Sequence, residues 1–394
     1  MKGDSMQQYS KTRHAHNRKN RYRIHVRRSW WYWFSFGFVG GLLLFIVFYE
    51  PSYVATVLQT NESSESVTIA NEKELIDEPA IVVEKQETHK KQNVPADTAK
   101  ANRPNYEPVV AVYLQEEDKL EEVNLEEYIL GVVAGEMPAE FELEALKAQA
   151  IAARTYIVRK LEQGADERLT ERGADVSNTT RHQVYISKDK LQSYWPAAKQ
   201  AQYSSKLQQA VEETTGQIVT YEGTPIEASY FSTSNGHTEK AADYWGSDYP
   251  YLQSVASPWD KQLSPRYKDQ VTLSLHQFYE RLGLSGKQAS KKPKLKVTEW
   301  TAGKRIKTMT INSIPFSGKE VREKLELRSS HFDWDVSKRE ITLTTYGFGH
   351  GVGMSQWGAN GMAKEGYTAA EIIAYYYKDT SIEQVSKLAK NNSY

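Results

Sequence analysis

Residues 125–163 read LEEYILGVVAGEMPAEFELEALKAQAIAARTYIVRKLEQ and hold two helices of different character with one proline between them. Leu125–Gly135 reads as a short, mostly apolar helix. Pro138 disfavours helical backbone at Met137, so the chain must turn there. Glu142–Gln163 then reads as a long helix, with Leu143, Leu146, Ala150, Ala153, Ile157 and Leu161 recurring at three- and four-residue steps. That stripe has to face a core. Ala145, Ala148, Ala150, Ala152 and Ala153 allow other helices to pack closely against it.

Working outward, Val109–Leu114 reads as a strand, and Leu120–Val123 as its hairpin partner. Further strands are expected at Gln217–Val219, Ile226–Thr233, Leu295–Glu299, Lys307–Ile311 and Glu340–Thr345. Thr368 followed by Glu371 forms a capping box before Ile372–Tyr377. Helices mixed with largely non-alternating strands indicate an α+β domain rather than a doubly wound sheet. The folded part is expected over 107–381, with a tail at 382–394. At 394 residues with 25% charged and 11% aromatic residues, the chain can bury one large core or two modest ones.

The formal charge is zero, but its distribution is uneven. Residues 1–29 carry nine Lys and Arg against one acid, Asp4, a surplus of eight that the rest of the chain balances. Trp30–Tyr49 (WWYWFSFGFVGGLLLFIVFY) follows without a charge and is long enough to cross a bilayer as a helix. Its aromatic start and the basic residues before it predict an uncleaved anchor with the N-terminus in the cytoplasm. A cleaved signal peptide is the rival reading, against which stand the long basic region and the absence of a clear small-x-small site. Beside such a span the basic tail reads as a topology signal rather than a nucleic-acid arm. Residues 50–106 read as a flexible tether, since Gln59–Asn105 has no aromatic residue and only scattered Val and Ile. The slightly acidic, aromatic-rich remainder suits sugar-like ligands better than nucleic acid. The absence of cysteine excludes disulfides and thiolate chemistry.

Glu136 is the sharpest catalytic candidate. It lies where the first helix ends, and the negative end of a helix disfavours a carboxylate and pushes its pKa upward. A carboxyl group still protonated near neutral pH is what a general acid needs. The competing reading places it in a solvated acidic group with Glu140, Glu142 and Glu144. Arg154 and Tyr156 follow on the long helix as possible partners; Arg154 can equally extend to solvent. In Ser229–Thr238 (SYFSTSNGHT), Tyr230, Ser232 and Ser234 offer hydroxyls to a polar ligand or to turn chemistry, and Asp243, Tyr244 and Trp245 follow. Tyr346–Gly358 (YGFGHGVGMSQWG) alternates four glycines and then presents His350, Ser355 and Gln356. It is neither a dinucleotide fingerprint nor a P-loop. His350 has no companion that would make a metal site, and there is no G-x-S-x-G elbow for a serine hydrolase. Either the glycines let a ligand approach the main chain, as one wall of a substrate groove, or they let the protein's own layers pack closely.

Two segments resemble the stage II sporulation protein D family, also called the SpoIID/LytB domain family. They are Gly131–Ile157 (GVVAGEMPAEFELEALKAQAIAARTYI) and Gly347–Gly361 (GFGHGVGMSQWGANG). Asp175–Tyr185 and Tyr230–Asp260 fit the same pattern, so the resemblance covers nearly all of residues 107–381. It implies an extracytoplasmic lytic transglycosylase that cuts peptidoglycan between N-acetylmuramic acid and N-acetylglucosamine during engulfment in endospore formation. The family's catalytic Glu falls in Glu-Met-Pro, here Glu136. One carboxyl suffices for such a mechanism, whereas ordinary glycoside hydrolysis normally needs two. The resemblance further implies a place on the mother-cell membrane facing the intermembrane space, beside stage II sporulation proteins P and M. No cofactor is implied. Many relatives can hold zinc at the segment matching Asp175–Tyr185; here Ser177, Arg181 and His182 stand at its Cys, His and Cys positions, so no metal is expected. Because some members of the wider family are amidase enhancers, a non-catalytic wall-binding module is the alternative.

Overall fold

A computed structural model describes residues 108–164, 167–290 and 292–386. The basic tail, the expected transmembrane helix at 30–49 and the linker lie outside the described residues. Among the described residues no helix is long and apolar enough to cross a membrane. The architecture is mixed α+β, as the pattern of elements predicts.

β1 (Val109–Leu114) and β2 (Lys119–Asn124) pair antiparallel, with Val109 opposite Asn124. β2 leads directly into α1 (Leu125–Glu136), and Met137 leaves the helix in extended backbone, φ −121° and ψ 142°, as the following proline demands. α2 (Leu143–Gln163) comes next. β3 (Val176–Ser177) then joins the other side of β1 in parallel. α3 (Ala197–Glu212), β4 (Gln217–Tyr221), β5 (Thr224–Pro225) and β6 (Tyr230–Phe231) follow. The chain continues through β7 (Lys268–Ser274), α4 (Leu275–Leu282), β8 (Leu295–Trp300), β9 (Ile306–Ile311), β10 (Ile314–Ser317), α5 (Gly318–Leu325), β11 (Phe332–Val336) and β12 (Glu340–Tyr346). β13 (Met354–Ser355), α6 (Gln356–Lys364), α7 (Ala369–Tyr376) and β14 (Ser381–Gln384) complete it.

The elements surround two hydrophobic cores. In the first, α2 touches α1, α3, α6, α7 and β4. Ala145, Ala148, Ala150, Ala152 and Ala153 are all fully buried there, so close backbone approach fills the contacts. The second core is built from residues between Val271 and Val336 together with Ile341 and Leu343, under the sheets β10-β9-β8 and β11-β12-β7. Two departures from the expected elements bear on function. The strand expected over Ile226–Thr233 shrinks to Tyr230–Phe231, because Ser229 N–H turns back to the Glu227 carbonyl and β13 offers only two partners. At the far end, the chain stays in the fold beyond residue 381: β14 pairs antiparallel with β4, and Val385 is buried.

Arg154 sits fully buried in α2 and does not extend to solvent. Its Nε donates to Glu126 Oε1 at 2.9 Å, its Nη2 to Oε2 at 2.5 Å, and its Nη1 to the Gln217 carbonyl at 3.1 Å. Glu126 also accepts the Gly216 N–H at 3.2 Å, so the pair joins α1, α2 and the start of β4. Arg154→Met should destabilise the protein by about 2–3 kcal/mol, less than a wholly buried pair because Glu126 is partly wetted. Thermal melting would measure this, and adding Glu126→Gln should recover part of the loss.

Candidate active site

Glu136 ends α1 facing the segment Gln183–Ile186, and two glycines make that approach possible. A Cβ at Gly131 would lie 2.4 Å from the Tyr185 ring, and one at Gly135 would lie 2.9 Å from the Val184 carbonyl oxygen. They are four residues apart and therefore share one helix face. With both side chains absent, Ile186 N–H reaches the Gly131 carbonyl at 3.1 Å, and Val184 N–H reaches Glu136 Oε1 at 2.8 Å.

Two further groups close on the carboxyl. Gln356 Nε2, at the start of α6, donates to Oε2 at 3.3 Å. The Tyr230 phenol, on β6, also acts on the carboxyl and favours its charged form. Its orientation is set behind it. Tyr128 OH donates to Gln183 Oε1 at 3.0 Å, which turns Gln183 Nε2 toward Tyr230, where it donates to the phenol oxygen at 3.0 Å. The Tyr230 proton is thus left to point at Glu136. Gln183 Nε2 also reaches the Ala153 carbonyl at 3.4 Å, fixing the amide against α2.

Burial pushes the Glu136 pKa up, and the bonds from Val184, Gln356 and Tyr230 pull part of the way back. The direction is the expected one, but its main cause is loss of water rather than the helix end. Burial also raises the Tyr230 and Tyr128 phenols, helped by the charge of Glu136, so both remain protonated donors. Such a carboxyl keeps its proton to higher pH than an ordinary Glu and, once it has given it up, is stabilised by groups already in place.

The remaining candidates divide. Tyr156 lies near enough to influence Tyr128 and Tyr230, and burial carries its own phenol up to about 12. Arg154 belongs to Glu126 and not to Glu136. Ser232 Oγ bonds Thr233 Oγ1 at 3.3 Å, and Ser234 Oγ donates to the Ser257 carbonyl at 3.0 Å. Ser355 Oγ donates to Asp260 and accepts the Gly358 N–H at 3.3 Å as the cap of α6. These hydroxyls are engaged within the protein.

His350 is half-buried, and its pKa is pushed down to about 3 by burial and by Arg322 and Arg305. Its Nδ1 accepts the Val352 N–H at 3.0 Å, and the Tyr230 backbone acts on the ring. It is a neutral clasp on the residue that touches Glu136. The glycines around it serve the same segment. Cβ atoms at Gly347, Gly349 and Gly353 would meet the Thr233 oxygen at 2.8 Å, Phe231 Cβ at 2.8 Å and the Ser229 oxygen at 2.0 Å. The protein's own strand occupies the bare face that a polysaccharide was expected to use.

Gln183, Tyr128 and the Val184 amide escaped sequence reading. The only signal was Gly131 and Gly135 on one helix face, which announces a close neighbour without saying which. In the segment Asp175–Tyr185, Ser177 Oγ lies 2.9 Å from His182 Nδ1 and 3.1 Å from Thr179 Oγ1, so side-chain hydrogen bonds tie the loop.

Residues 113–221 match a family model described as Stage II sporulation protein (SpoIID). Stage II sporulation protein D of Bacillus subtilis (strain 168) is 47% identical over 292 residues, 73% of this chain and 82% of that protein. The Bacillus amyloliquefaciens protein of the same description is 47% identical over 275 residues, covering 70% and 78%. A protein described as Amidase enhancer, from Bacillus subtilis (strain 168), is 29% identical over 305 residues, 64% of this chain and 40% of its own length.

Proposed function

This chain belongs to the stage II sporulation protein D family, and on that premise we propose that it is a peptidoglycan lytic transglycosylase with Glu136 as its single proton-transfer group. The observation that carries the proposal is the Glu136 carboxyl itself, raised in pKa by burial and met by the Val184 N–H and the Gln356 amide.

Protonated Glu136 gives its proton to the oxygen linking N-acetylmuramic acid to the next N-acetylglucosamine, and the bond from that oxygen to the muramyl anomeric carbon breaks. The carboxylate left behind is held by Val184 N–H, Gln356 and Tyr230. It then takes the proton from the muramyl 6-hydroxyl as that oxygen closes on the anomeric carbon, giving a 1,6-anhydro end. No water is consumed, so no second carboxylate is needed to activate one. On this reading the chain is anchored in the mother-cell membrane, acts in septal wall remodelling during engulfment, and works beside stage II sporulation proteins P and M.

Because the acid must be protonated, cleavage should fall as pH rises through the raised Glu136 pKa. A pH–rate profile on purified glycan strands would show this limb above the ordinary carboxylate range; a limb at the ordinary Glu position would count against the assignment. The similarity to an amidase enhancer favours a second reading, in which the domain binds the wall and stimulates an amidase. Wild-type protein that releases no glycan fragments alone but accelerates an added amidase would support that reading instead.

A further inference from the structure

We propose that Asp260 is the positioning residue of the Glu136 site, its carboxylate bracing β6 against β13 so that Tyr230 and Gln356 meet on the Glu136 carboxyl. The brace is needed because that ladder is only two residues long on each side, Met354 opposite Tyr230 and Ser355 opposite Phe231. Backbone bonds from Met354 N–H to the Ser229 carbonyl and from Trp357 N–H to the Ser232 carbonyl, both 3.1 Å, extend it slightly. A ladder this short does not hold its own register. Yet the two donors to Glu136 come one from each strand: Tyr230 begins β6, and Gln356 directly follows β13.

Asp260 is fully buried at the start of the one-turn helix Asp260–Leu263. Its Oδ1 accepts the Ser234 N–H at 2.7 Å and the Ser355 hydroxyl. Its Oδ2 accepts the Ser257 hydroxyl at 2.7 Å, and Ser257 Oγ lies 2.8 Å from Tyr376 OH on α7. One carboxylate therefore holds the segment four residues beyond Tyr230, the residue immediately before Gln356, and the first core. Ser355 also caps α6, so the same contact sets where that helix begins. The charged or titratable groups that sense Asp260 are Arg305, Tyr267 and Tyr376, and none of them displaces its three donors. A buried carboxylate with one donor on each of two thin segments and a third tied to the core is placed to fix geometry.

The proposal gains its catalytic meaning from the function inferred above, but its test does not depend on that function. With glutamate labelled at the side-chain carboxyl carbon and the Glu136 signal assigned through Glu136→Gln, an NMR titration reads the bonds at Glu136 directly. The groups acting on that carboxyl are Val184 N–H, Gln356 and Tyr230, with the Tyr128 phenol nearby. In folded Asp260→Ala, loss of register weakens the Gln356 and Tyr230 bonds, and the Glu136 midpoint should rise by about half a unit or more. Asp260→Asn keeps an acceptor for Ser234 and Ser355 and should restore the wild-type midpoint. If Asp260→Ala does not fold, Ser355→Ala cuts the same tie from the other side and should raise the midpoint similarly. Ile341→Val, in the second core, should lower stability without moving it. An unchanged midpoint in Ser355→Ala or in folded Asp260→Ala would overturn the proposal, as would an Asp260→Asn shift as large as that of Asp260→Ala.

Discussion

Glu136→Gln is expected to lower glycan-strand cleavage by at least about a thousandfold, the upper range for removing one general acid–base group. The substitution keeps the size of the side chain and an oxygen to accept the Val184 N–H, and Gln356 can turn its amide to offer its own oxygen. The fold should therefore survive. The sign of the stability change follows from the raised pKa. A carboxyl whose pKa is higher folded than unfolded contributes most below its unfolded pKa, and that contribution is lost as pH rises through the folded value. At neutral pH the variant should melt at the wild-type temperature or somewhat above it, and the difference should vanish in acid. Loss of activity with a lowered melting temperature at neutral pH would point to a damaged fold rather than a missing proton donor.

Gly353→Ala is the second substitution with a large expected effect, here on stability. Gly353 has φ +79°, and a Cβ there would lie 2.0 Å from the Ser229 carbonyl oxygen, which is backbone and accepts the Met354 N–H. The left-handed conformation costs about 1–2 kcal/mol for a non-glycine residue, and forcing the strands apart adds about 1–3 kcal/mol. A total of about 3 kcal/mol or more is expected. Gly223→Ala is the matched control, because Gly223 has φ +76° with open space at its Cβ. It should cost only the conformational part, about 1 kcal/mol. Denaturant melts of the two variants would separate the terms. Equal losses would mean that the glycine run is not packed against residues 229–235. A loss of activity larger than the loss of folded protein is also expected for Gly353→Ala, since Ser229 directly precedes Tyr230 and Met354 lies two residues before Gln356.

Much of the fold was legible where periodicity or capping acts over a few residues. The apolar stripe from Leu143 to Leu161 marks α2 to within a residue, and Thr368 with Glu371 forms the anticipated capping box before α7. α6 was not legible. Gly358 and Gly361 lower its helix propensity, and the reason for them lies elsewhere in the chain: Cβ atoms there would strike Tyr376 OH and Trp259 Cβ. The second core was legible only in part: β8, β9 and β12 were expected, but strands such as β7 and β11 are exposed along much of their length.

The site divides along the same line. Glu136 announced itself by its place at the helix break before Pro138. Its partners are set by tertiary contacts across 48 residues to Val184 and 220 to Gln356, and no local pattern carries those. Arg154 was ambiguous because helical periodicity does not show where a long side chain ends; only Glu126 beside it resolves the matter. The glycine run was rightly suspect, but a bare backbone face looks the same in sequence whether a ligand or the chain itself will fill it.

The most direct test of the central claim is cleavage of purified glycan strands in water enriched in heavy oxygen, with the new ends analysed by mass spectrometry. If Glu136 passes the proton from the muramyl 6-hydroxyl to the leaving oxygen, the wild-type products are 1,6-anhydromuramic ends without heavy oxygen, and Glu136→Gln forms none. Reducing ends carrying heavy oxygen at the anomeric carbon, or anhydro ends formed undiminished by Glu136→Gln, would contradict the account.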